Sequence, residues 1–149
     1  MKKILILGSN GLLSSNLRHR FSNSNIIKYA GSKNYDYKFN ALDDSIDEII
    51  KKNHFDIILN TIACTNIELC EQNKELAFQL NSEFPKILIK TLKKFKKKVK
   101  IIHISTDHFY DKKGLSKESD TSINNYYSKT KLLGENVLLD FDSTIIRTN

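Results

Sequence analysis

The sequence predicts an α/β protein built on a doubly wound parallel sheet. Short, continuous apolar runs, of which residues 3–7 form the first, alternate along the chain with segments that repeat apolar residues at helical spacing. Continuous apolar runs are typical of strands buried on both faces, as in a parallel sheet. Alternation of such strands with helices indicates βαβ units, and the right-handed crossovers of these units favour the doubly wound arrangement.

About five strands and four helices follow one another. The strands are predicted at residues 3–7, 25–30, 55–60, 99–105 and 143–147. The helices are predicted at residues 11–21, 45–52, 67–97 with a break near Pro85, and 124–140.

Length and the position of the last strand predict one incomplete domain. The 149 residues suffice for a single domain with a buried core. The chain stops directly after the fifth predicted strand, and a bare sheet edge is a liability. We therefore expect residues 1–149 to be the truncated first part of a longer protein whose remaining strands and second domain are absent.

Composition and charge exclude several classes of function. The chain has 24 basic and 17 acidic residues, which gives a net charge of +7. Much of the excess lies in residues 90–100, where cations at the end of a helix oppose its dipole favourably, so no nucleic-acid partner is expected. No stretch approaches the roughly 18 apolar residues of a membrane span. Cys64 and Cys70 lack zinc spacing, and these features predict a cytoplasmic protein without a bound metal or a membrane partner.

A glycine-rich turn after the first strand predicts a nucleotide site. The run Gly8-Ser9-Asn10-Gly11 leads into the first helix. Gly8 permits the tight turn, and Gly11 lets the backbone approach a pyrophosphate, which the helix N-terminus attracts. Ser14 replaces the third glycine of this Rossmann-like pattern. The predicted cofactor contacts in this turn are Gly8, Asn10, Gly11, Leu12 and Leu13.

The ends of the second and third strands indicate which dinucleotide binds. An acidic residue after the second strand normally holds the ribose 2′-hydroxyl, but the sequence there offers Ser32 and Lys33, which suit a 2′-phosphate. NADP(H) is therefore favoured, with NAD(H) as the alternative. After the third strand, Ile62, Ala63 and Cys64 are predicted to form a wall along the adenine half, because such strand ends line the ligand crevice.

A threonine, a tyrosine and a lysine predict proton-transfer chemistry. Tyr127 and Lys131 are four residues apart, so they lie on one face of the predicted helix, and Thr106 ends the fourth strand. A tyrosine holds its proton at neutral pH, and we expect the Lys131 ammonium to lower the pKa of Tyr127. The alternative is that Tyr126 and Tyr127 only cover a helix face. Among the histidines, His103 is expected in the core, and His108 either faces a substrate or lies at the surface.

These motifs together resemble the extended short-chain dehydrogenase/reductase family, and within it the dTDP-4-dehydrorhamnose reductases and related sugar-nucleotide reductases and epimerases. The resemblance runs through nearly the whole chain. It is carried by residues 8–13, 60–68 with Glu71, 77–81, 104–111, and 127–131 with 132–135.

The resemblance implies a role for each site residue. Tyr127 would give a proton to a keto oxygen while NADPH gives the hydride, and Lys131 would tune Tyr127 and hold the nicotinamide ribose. Thr106 would bond the reacting oxygen. The remaining implied contacts are with the cofactor at Ser105, with the sugar at Asp107 and His108, and with the adenosine at Asp36 and Tyr37. His108 stands where these reductases usually carry tyrosine, which bears on the sugar accepted.

The predicted function is NADP(H)-dependent reduction of a keto group on a nucleotide-activated deoxysugar, for cell-surface polysaccharide synthesis. The predicted partner is the nucleotide-sugar substrate, and a homodimer is left open. Two rival predictions remain. One is an NAD-dependent sugar-nucleotide epimerase or dehydratase, and the other is a non-catalytic cofactor-binding module or truncated remnant.

Overall fold

The computed structural model describes residues 2–21, 24, 26–110 and 114–148. Within them, six parallel strands form one sheet in the order β3-β2-β1-β4-β5-β6. The strands are β1 Ile4–Leu7, β2 Ile27–Gly31, β3 Tyr37–Lys38, β4 Ile57–Asn60, β5 Lys100–Thr106 and β6 Ser143–Thr148. The α-helices are α1 Leu12–Arg20, α2 Asp47–Lys52, α3 Ile67–Gln72, α4 Lys74–Phe78, α5 Phe84–Lys94 and α6 Tyr126–Asn136.

The doubly wound parallel α/β fold predicted from the sequence is confirmed, with differences at individual elements. The two-residue strand β3 was missed because a pair of residues carries no periodicity. The predicted second strand starts at Ile27, and its expected first residue, Asn25, lies outside the described residues. The last helix is shorter than predicted, since it spans Tyr126–Asn136.

The long helical segment predicted at 67–97 is divided into α3, α4, a π-helix at Gln79–Glu83, and α5. The first division occurs at Asn73, whose side chain accepts a hydrogen bond from Leu76 N and so begins α4. Pro85 does not break the segment, because it lies in the first turn of α5, where a missing N–H costs nothing. Single-turn π-helices are common near functional sites.

One face of the sheet carries the main core. Leu5 of β1, Ile58 of β4 and Ile101 of β5 are aligned by the strand register and are fully buried. Leu88 of α5 packs on this face in the same cluster. Because the strands are parallel and in register, the carboxyl ends of β1, β4 and β5 lie along one edge, where a doubly wound sheet places its ligand crevice.

Candidate active site

The glycine turn after β1 has the geometry that a phosphate requires. Gly8 adopts φ of 92°, and a Cβ there would lie 2.6 Å from Thr61 Oγ1, so only glycine fits. Gly11 caps α1 without a side-chain hydrogen bond, and the first turn of that helix has no acidic residue. The N–H groups of that turn, which begins at Leu12 and Leu13, are therefore available to an anion.

Ser14 explains how the turn works without a third glycine. It is fully buried, and its hydroxyl lies 3.1 Å from Thr61 Oγ1. The helix is held close to the sheet by a hydrogen bond between two small side chains. The departure from the glycine pattern therefore keeps the close packing of helix on strand that the third glycine usually provides.

Asn10 ties the glycine turn to the loop that follows β2. Its side-chain amide donates to Ser32 Oγ at 2.6 Å and accepts from Lys33 N at 2.9 Å. The Ser9 hydroxyl donates to the Lys33 carbonyl, and a Cβ at Gly31 would lie 2.1 Å from Ser9 Oγ. These contacts form one side of a cavity of about 280 Å³ that Ser32, Ile62 and Ala63 also line.

Three of the residues predicted to contact the cofactor lie elsewhere. The Tyr37 hydroxyl donates to Asn53 Oδ1 at 3.0 Å, and its ring lines a hollow at the opposite edge of the sheet. The Asp36 carboxylate accepts from Tyr29 N and from Lys28 Nζ. Asp36 precedes β3 and Tyr37 begins it, and a strand of two residues carries no pattern that predicts it. Neither side chain lines the cavity beside the glycine turn, and their contact with the adenosine stays a prediction.

The Cys64 side chain also lies away from the crevice, and its contact with the cofactor stays a prediction. Its side chain is buried in a second cluster with Cys70, Ala77 and Tyr127, and it lines neither half of the crevice. The two sulfur atoms are 3.5 Å apart, and both cysteines are free thiols. Burial, reinforced by Cys64, raises the pKa of Cys70 to about 12, so neither geometry nor ionisation indicates a nucleophile.

The second half of the crevice is a cavity of about 400 Å³ at the carboxyl end of β5. Thr61 and Ala63 line both cavities, so the two halves are continuous. The residues that line this second half are Leu12, Thr61, Ala63, Thr65, Ile104, Ser105, Thr106, His108, Tyr127, Lys131 and Thr148. Thr106, Tyr127 and Lys131, which the sequence singled out, therefore come together at one place.

Local hydrogen bonds fix the start of α6 and so the direction of Tyr127 and Lys131. Asn125 and Ser128 form a reciprocal capping box. Tyr126 N donates to Glu71 Oε1 at 2.6 Å, which joins α6 to α3. Tyr127 is buried, as is Lys131, which is 2% exposed, whereas Tyr126 lies outside this cavity.

The pKa of Tyr127 shifts in the direction opposite to the one expected. Burial raises the pKa of Tyr127, and a hydrogen bond with Thr106 only partly opposes it. Lys131 Nζ donates to the Ile104 carbonyl at 2.7 Å, and burial lowers the pKa of Lys131 to about 8 although Glu135 acts in the other direction. The expected lowering of the Tyr127 pKa is therefore wrong here, because desolvation by burial is the largest influence on this group and raises its pKa.

His108 lines this cavity, whereas its neighbour Asp107 does not. The His108 ring meets the Tyr127 ring edge to face, with centroids 5.7 Å apart and an interplanar angle of 82°. His108 N donates to Thr106 Oγ1 at 3.2 Å. Asp107 N donates to the Thr148 carbonyl, and the Asp107 side chain does not line the cavity. Asp111, the last residue of the matched motif, lies outside the described residues.

His103 is buried in the sheet, as predicted. It is 1% exposed, and its Nδ1 lies 3.1 Å from Asn60 Nδ2 on the neighbouring strand. Burial, together with the charge on Lys131, lowers the pKa of His103 to about 3, so the ring is neutral at physiological pH.

Asn81 is a positioning residue that the sequence did not mark. It is fully buried in the π-helix, and its side chain accepts from Cys64 N at 2.8 Å and donates to Cys64 O and to Thr130 Oγ1. A Cβ at Gly134 would lie 2.1 Å from the Asn81 carbonyl. Asn81 thus links the loop after β4 to α6; the resemblance includes residues 77–81, but it assigned Asn81 no role.

The described residues contain no group of three or more His, Cys, Asp or Glu side chains arranged to hold a metal ion. None of their helices is both long and apolar enough to cross a bilayer.

The residues present fit a nicotinamide dinucleotide. The continuous crevice offers uncapped helix N–H groups at one end and buried hydroxyls at the other, where Ser105 Oγ has no hydrogen-bond partner among the described residues. Backbone donors suit the pyrophosphate, and the hydroxyl and ammonium groups suit a ribose and a reacting oxygen.

Sequence comparison then decides the family, because residues 1–149 match the RmlD substrate binding domain. The chain belongs to the RmlD substrate binding domain family. It is 29% identical over 163 residues to the spore coat polysaccharide biosynthesis protein SpsK of Bacillus subtilis, with 100% of this chain and 53% of that protein covered.

Solved structures of RmlD-like proteins have the same fold. A hypothetical dTDP-4-dehydrorhamnose reductase from Sulfolobus tokodaii gives a TM-score of 0.84 at 34% identity, over 97% of this chain and 55% of that one. The Bacillus anthracis dTDP-4-dehydrorhamnose reductase, solved in complex with NADP, gives 0.80 at 22% identity, over 98% and 52%. The chain thus spans about half the length of the relatives it matches.

Proposed function

We propose that this chain is the cofactor-binding and proton-transfer part of a reductase that reduces a keto group on a nucleotide-activated deoxysugar with NADP(H). The observation that carries the proposal is the convergence of Thr106, Tyr127 and Lys131 on a cavity continuous with the glycine turn. Membership of the RmlD family supports the same substrate class. The enzyme would act in the cytoplasm, and its product would be used for cell-surface polysaccharide synthesis.

The cofactor would lie along the crevice, with its pyrophosphate at the first turn of α1 and its nicotinamide ribose beside Lys131. When bound, it supplies the hydride. The chain's own groups supply the rest. Thr106 holds the carbonyl oxygen, and Tyr127, which keeps its proton at neutral pH because burial raises its pKa, delivers that proton to the same oxygen.

NADP(H) is preferred over NAD(H) in this proposal because of the loop after β2. No carboxylate stands at the end of β2, where Asn10 bonds Ser32, which lines the cavity beside the glycine turn, and the backbone of Lys33, the next residue. A lysine and a hydroxyl suit a 2′-phosphate, whereas the ribose 2′-hydroxyl of NAD(H) would find no acidic partner. The same feature disfavours an NAD-dependent epimerase.

The test has two stages. The purified chain is first titrated with NADPH and with NADH, followed by cofactor fluorescence, and we expect roughly micromolar binding of NADPH and weaker binding of NADH. NADPH oxidation is then followed with a dTDP-4-keto-6-deoxysugar. Turnover would exclude the non-catalytic module, and failure to bind either cofactor would overturn the proposal.

A further inference from the structure

Arg147, near the end of β6, has no part in the proposed mechanism, although it lies beside the catalytic cavity. The strand register pairs it with Ser105, which lines that cavity, so the two side chains face the same side of the sheet. The Arg147 side chain is 19% exposed, and that of its partner Glu135 is 4% exposed. Glu135 follows Lys131 by one turn of α6. A buried ion pair therefore lies next to the residues proposed to carry the reaction.

The guanidinium of Arg147 binds α6 through two parallel hydrogen bonds. Nε donates to Glu135 Oε1 at 3.0 Å, and Nη2 donates to Oε2 of the same carboxylate at 2.6 Å. This two-point contact fixes the orientation of the guanidinium plane relative to the helix, which a single hydrogen bond would not do. Arg147 is therefore oriented by the helix that carries Tyr127 and Lys131.

The remaining nitrogen of the guanidinium, Nη1, binds the segment that follows β5. It donates to the Tyr110 hydroxyl at 2.5 Å and to the Glu118 carbonyl at 2.7 Å. The guanidinium carbon lies 4.9 Å from the centre of the Phe109 ring, which is fully buried, and 5.5 Å from that of the Tyr110 ring. Aromatic faces attract such a planar cation. One side chain of β6 thus contacts both α6 and the segment after β5.

The segment after β5 also carries His108, which lines the catalytic cavity. The two residues that follow His108 are the aromatic residues that Arg147 contacts. Tyr110 N donates to the Asp107 carbonyl at 2.9 Å, which closes a turn around His108. The His108 ring meets the Tyr127 ring of α6 edge to face. His108 and Tyr127 therefore come from two different elements, and Arg147 is bonded to both elements.

The stability that an ion pair provides does not explain why this one is present. Taking two charges out of water costs much of what their attraction returns, so a buried pair is often no more stable than apolar residues of similar volume. An ion pair differs from apolar residues in direction, because its hydrogen bonds require one geometry. A directional contact beside an active site is suited to positioning.

We propose that Arg147 is a positioning residue for the sugar end of the catalytic cavity: it joins α6 to the segment after β5 and so fixes the His108 ring relative to the Tyr127 ring. The inference deepens the proposed function and rests on it for its catalytic meaning. The glycine turn lies at the other end of the crevice, so Arg147 acts on the sugar and not on the cofactor.

The test replaces the ion pair by apolar residues in the 149-residue chain without cofactor. The double variant Glu135→Met with Arg147→Met removes both charges together, so neither is left buried and unpaired, and it should be about as stable as the unmodified chain. NMR then measures the nuclear Overhauser effect between the ring protons of His108 and Tyr127. It also measures exchange of the His108 and Tyr110 amides, both of which are hydrogen-bonded. We expect the Overhauser effect to be lost and exchange to become about tenfold faster or more.

Two single variants complete the test. Tyr110→Phe removes the hydroxyl that accepts from Nη1, and it should weaken the Overhauser effect less than the double variant does. Ser143→Ala is the matched control, since it removes a hydroxyl that donates to the Leu138 carbonyl at 2.9 Å at the start of β6, and the Overhauser effect should stay unchanged. An unchanged effect in the double variant, or an equal loss in Ser143→Ala, would overturn the inference. If the double variant does not fold, an unchanged effect in Tyr110→Phe overturns it.

Kinetics separate this inference from the proposed function. With a dTDP-4-keto-6-deoxysugar, the double variant should raise KM about tenfold and leave kcat and the Kd for NADPH within about twofold. A fall in kcat at unchanged KM would overturn the inference, because Arg147 would then act through Tyr127 and Lys131. The NMR measurements need neither cofactor nor sugar. A chain that bound no cofactor would therefore refute the proposed function and leave the positioning of His108 standing.

Discussion

The two halves of the crevice differ in the chemical groups that line them. The glycine-turn half uses backbone N–H groups and small side chains, and the turn keeps its shape because larger residues would collide at Gly8 and Gly31. The catalytic half uses buried polar side chains, with Lys131 and Thr106 each 2% exposed. The shape of the first half therefore depends on positions without a side chain, and the second half contains a charged group removed from water. A mutation in the first half should lower the stability of the fold, whereas removal of the buried charge in the second should raise it.

The largest expected effect separates the two tyrosines of the catalytic half. Tyr127→Phe removes the proposed acid, and general acid catalysis contributes about 10²- to 10⁴-fold to a rate, so turnover of NADPH with the keto sugar should fall by that factor. Tyr126→Phe is the matched control, since its ring lies outside the catalytic cavity. Equal losses in both variants would mean that the aromatic surface, and not the phenol, is what matters.

Removing the buried charge should stabilise the fold. Lys131→Met deletes an ammonium whose pKa burial lowers from 10.5 to about 8, so we expect the free energy of unfolding at pH 7 to rise by roughly 2–3 kcal/mol, less the lost hydrogen bond to Ile104. The variant should also lose activity. Urea denaturation at pH 7 measures the first effect, and a stability loss would show that the hydrogen bond outweighs desolvation.

The pH dependence of Lys131 has a definite sign. Between about pH 8 and 10.5 the unfolded chain binds the lysine proton more tightly than the folded chain, so wild-type stability gains a contribution from this group as pH rises through that window. Lys131→Met should lack this gain. The difference in stability between the two proteins should therefore shrink from pH 7 to pH 10.

In the glycine-turn half, two substitutions to alanine should separate folding from binding. A Cβ at Gly31 would lie 2.1 Å from Ser9 Oγ and 2.9 Å from Ser9 N, so Gly31→Ala should cost about 1–3 kcal/mol of stability. A Cβ at Gly11 would lie 3.5 Å from Gly8 O and 4.0 Å from Thr61 Oγ1, which are ordinary contacts, so Gly11→Ala should fold normally and still bind NADPH poorly. Thermal unfolding and cofactor titration measure both, and unimpaired binding by Gly11→Ala would place the pyrophosphate elsewhere.

The same comparison explains what the sequence could predict. The catalytic half consists of side chains at positions that a sequence pattern shows. The helical spacing of Tyr127 and Lys131 and the place of Thr106 at a strand end therefore identified it. The adenosine end depends on backbone geometry, which residue patterns do not show, and there the side chains of Asp36, Tyr37 and Cys64 lie outside the cavity, so their cofactor contacts stay predictions. The two-residue strand β3 directs Tyr37 to the opposite edge, and Asn81 holds the backbone of Cys64 while its thiol packs on Cys70.

The sequence also could not show which polar side chains the fold removes from water. Helical spacing places a lysine near a tyrosine, and from that alone a lowered tyrosine pKa is the reasonable expectation. Only the packing of α6 on β5 shows that both groups are removed from water, which favours the neutral form of each.

The smallest expected effect concerns cofactor choice at the rim. Lys33→Gln removes the positive charge proposed to meet the 2′-phosphate, so the preference for NADPH over NADH should fall by about 3- to 10-fold, the worth of one exposed charged hydrogen bond. Lys28→Gln is the matched control, since Lys28 pairs with Asp36 on the connection between β2 and β3. Paired titrations with both cofactors measure the ratio.

Because Asn10 bonds the backbone of Lys33 and not its ammonium, Lys33→Gln should leave the loop and NADH binding unchanged. A loss of affinity for both cofactors would mean that Lys33 supports the shape of the turn. An unchanged ratio would remove the argument for NADP(H), and the NAD-dependent epimerase would then regain its place beside the reductase.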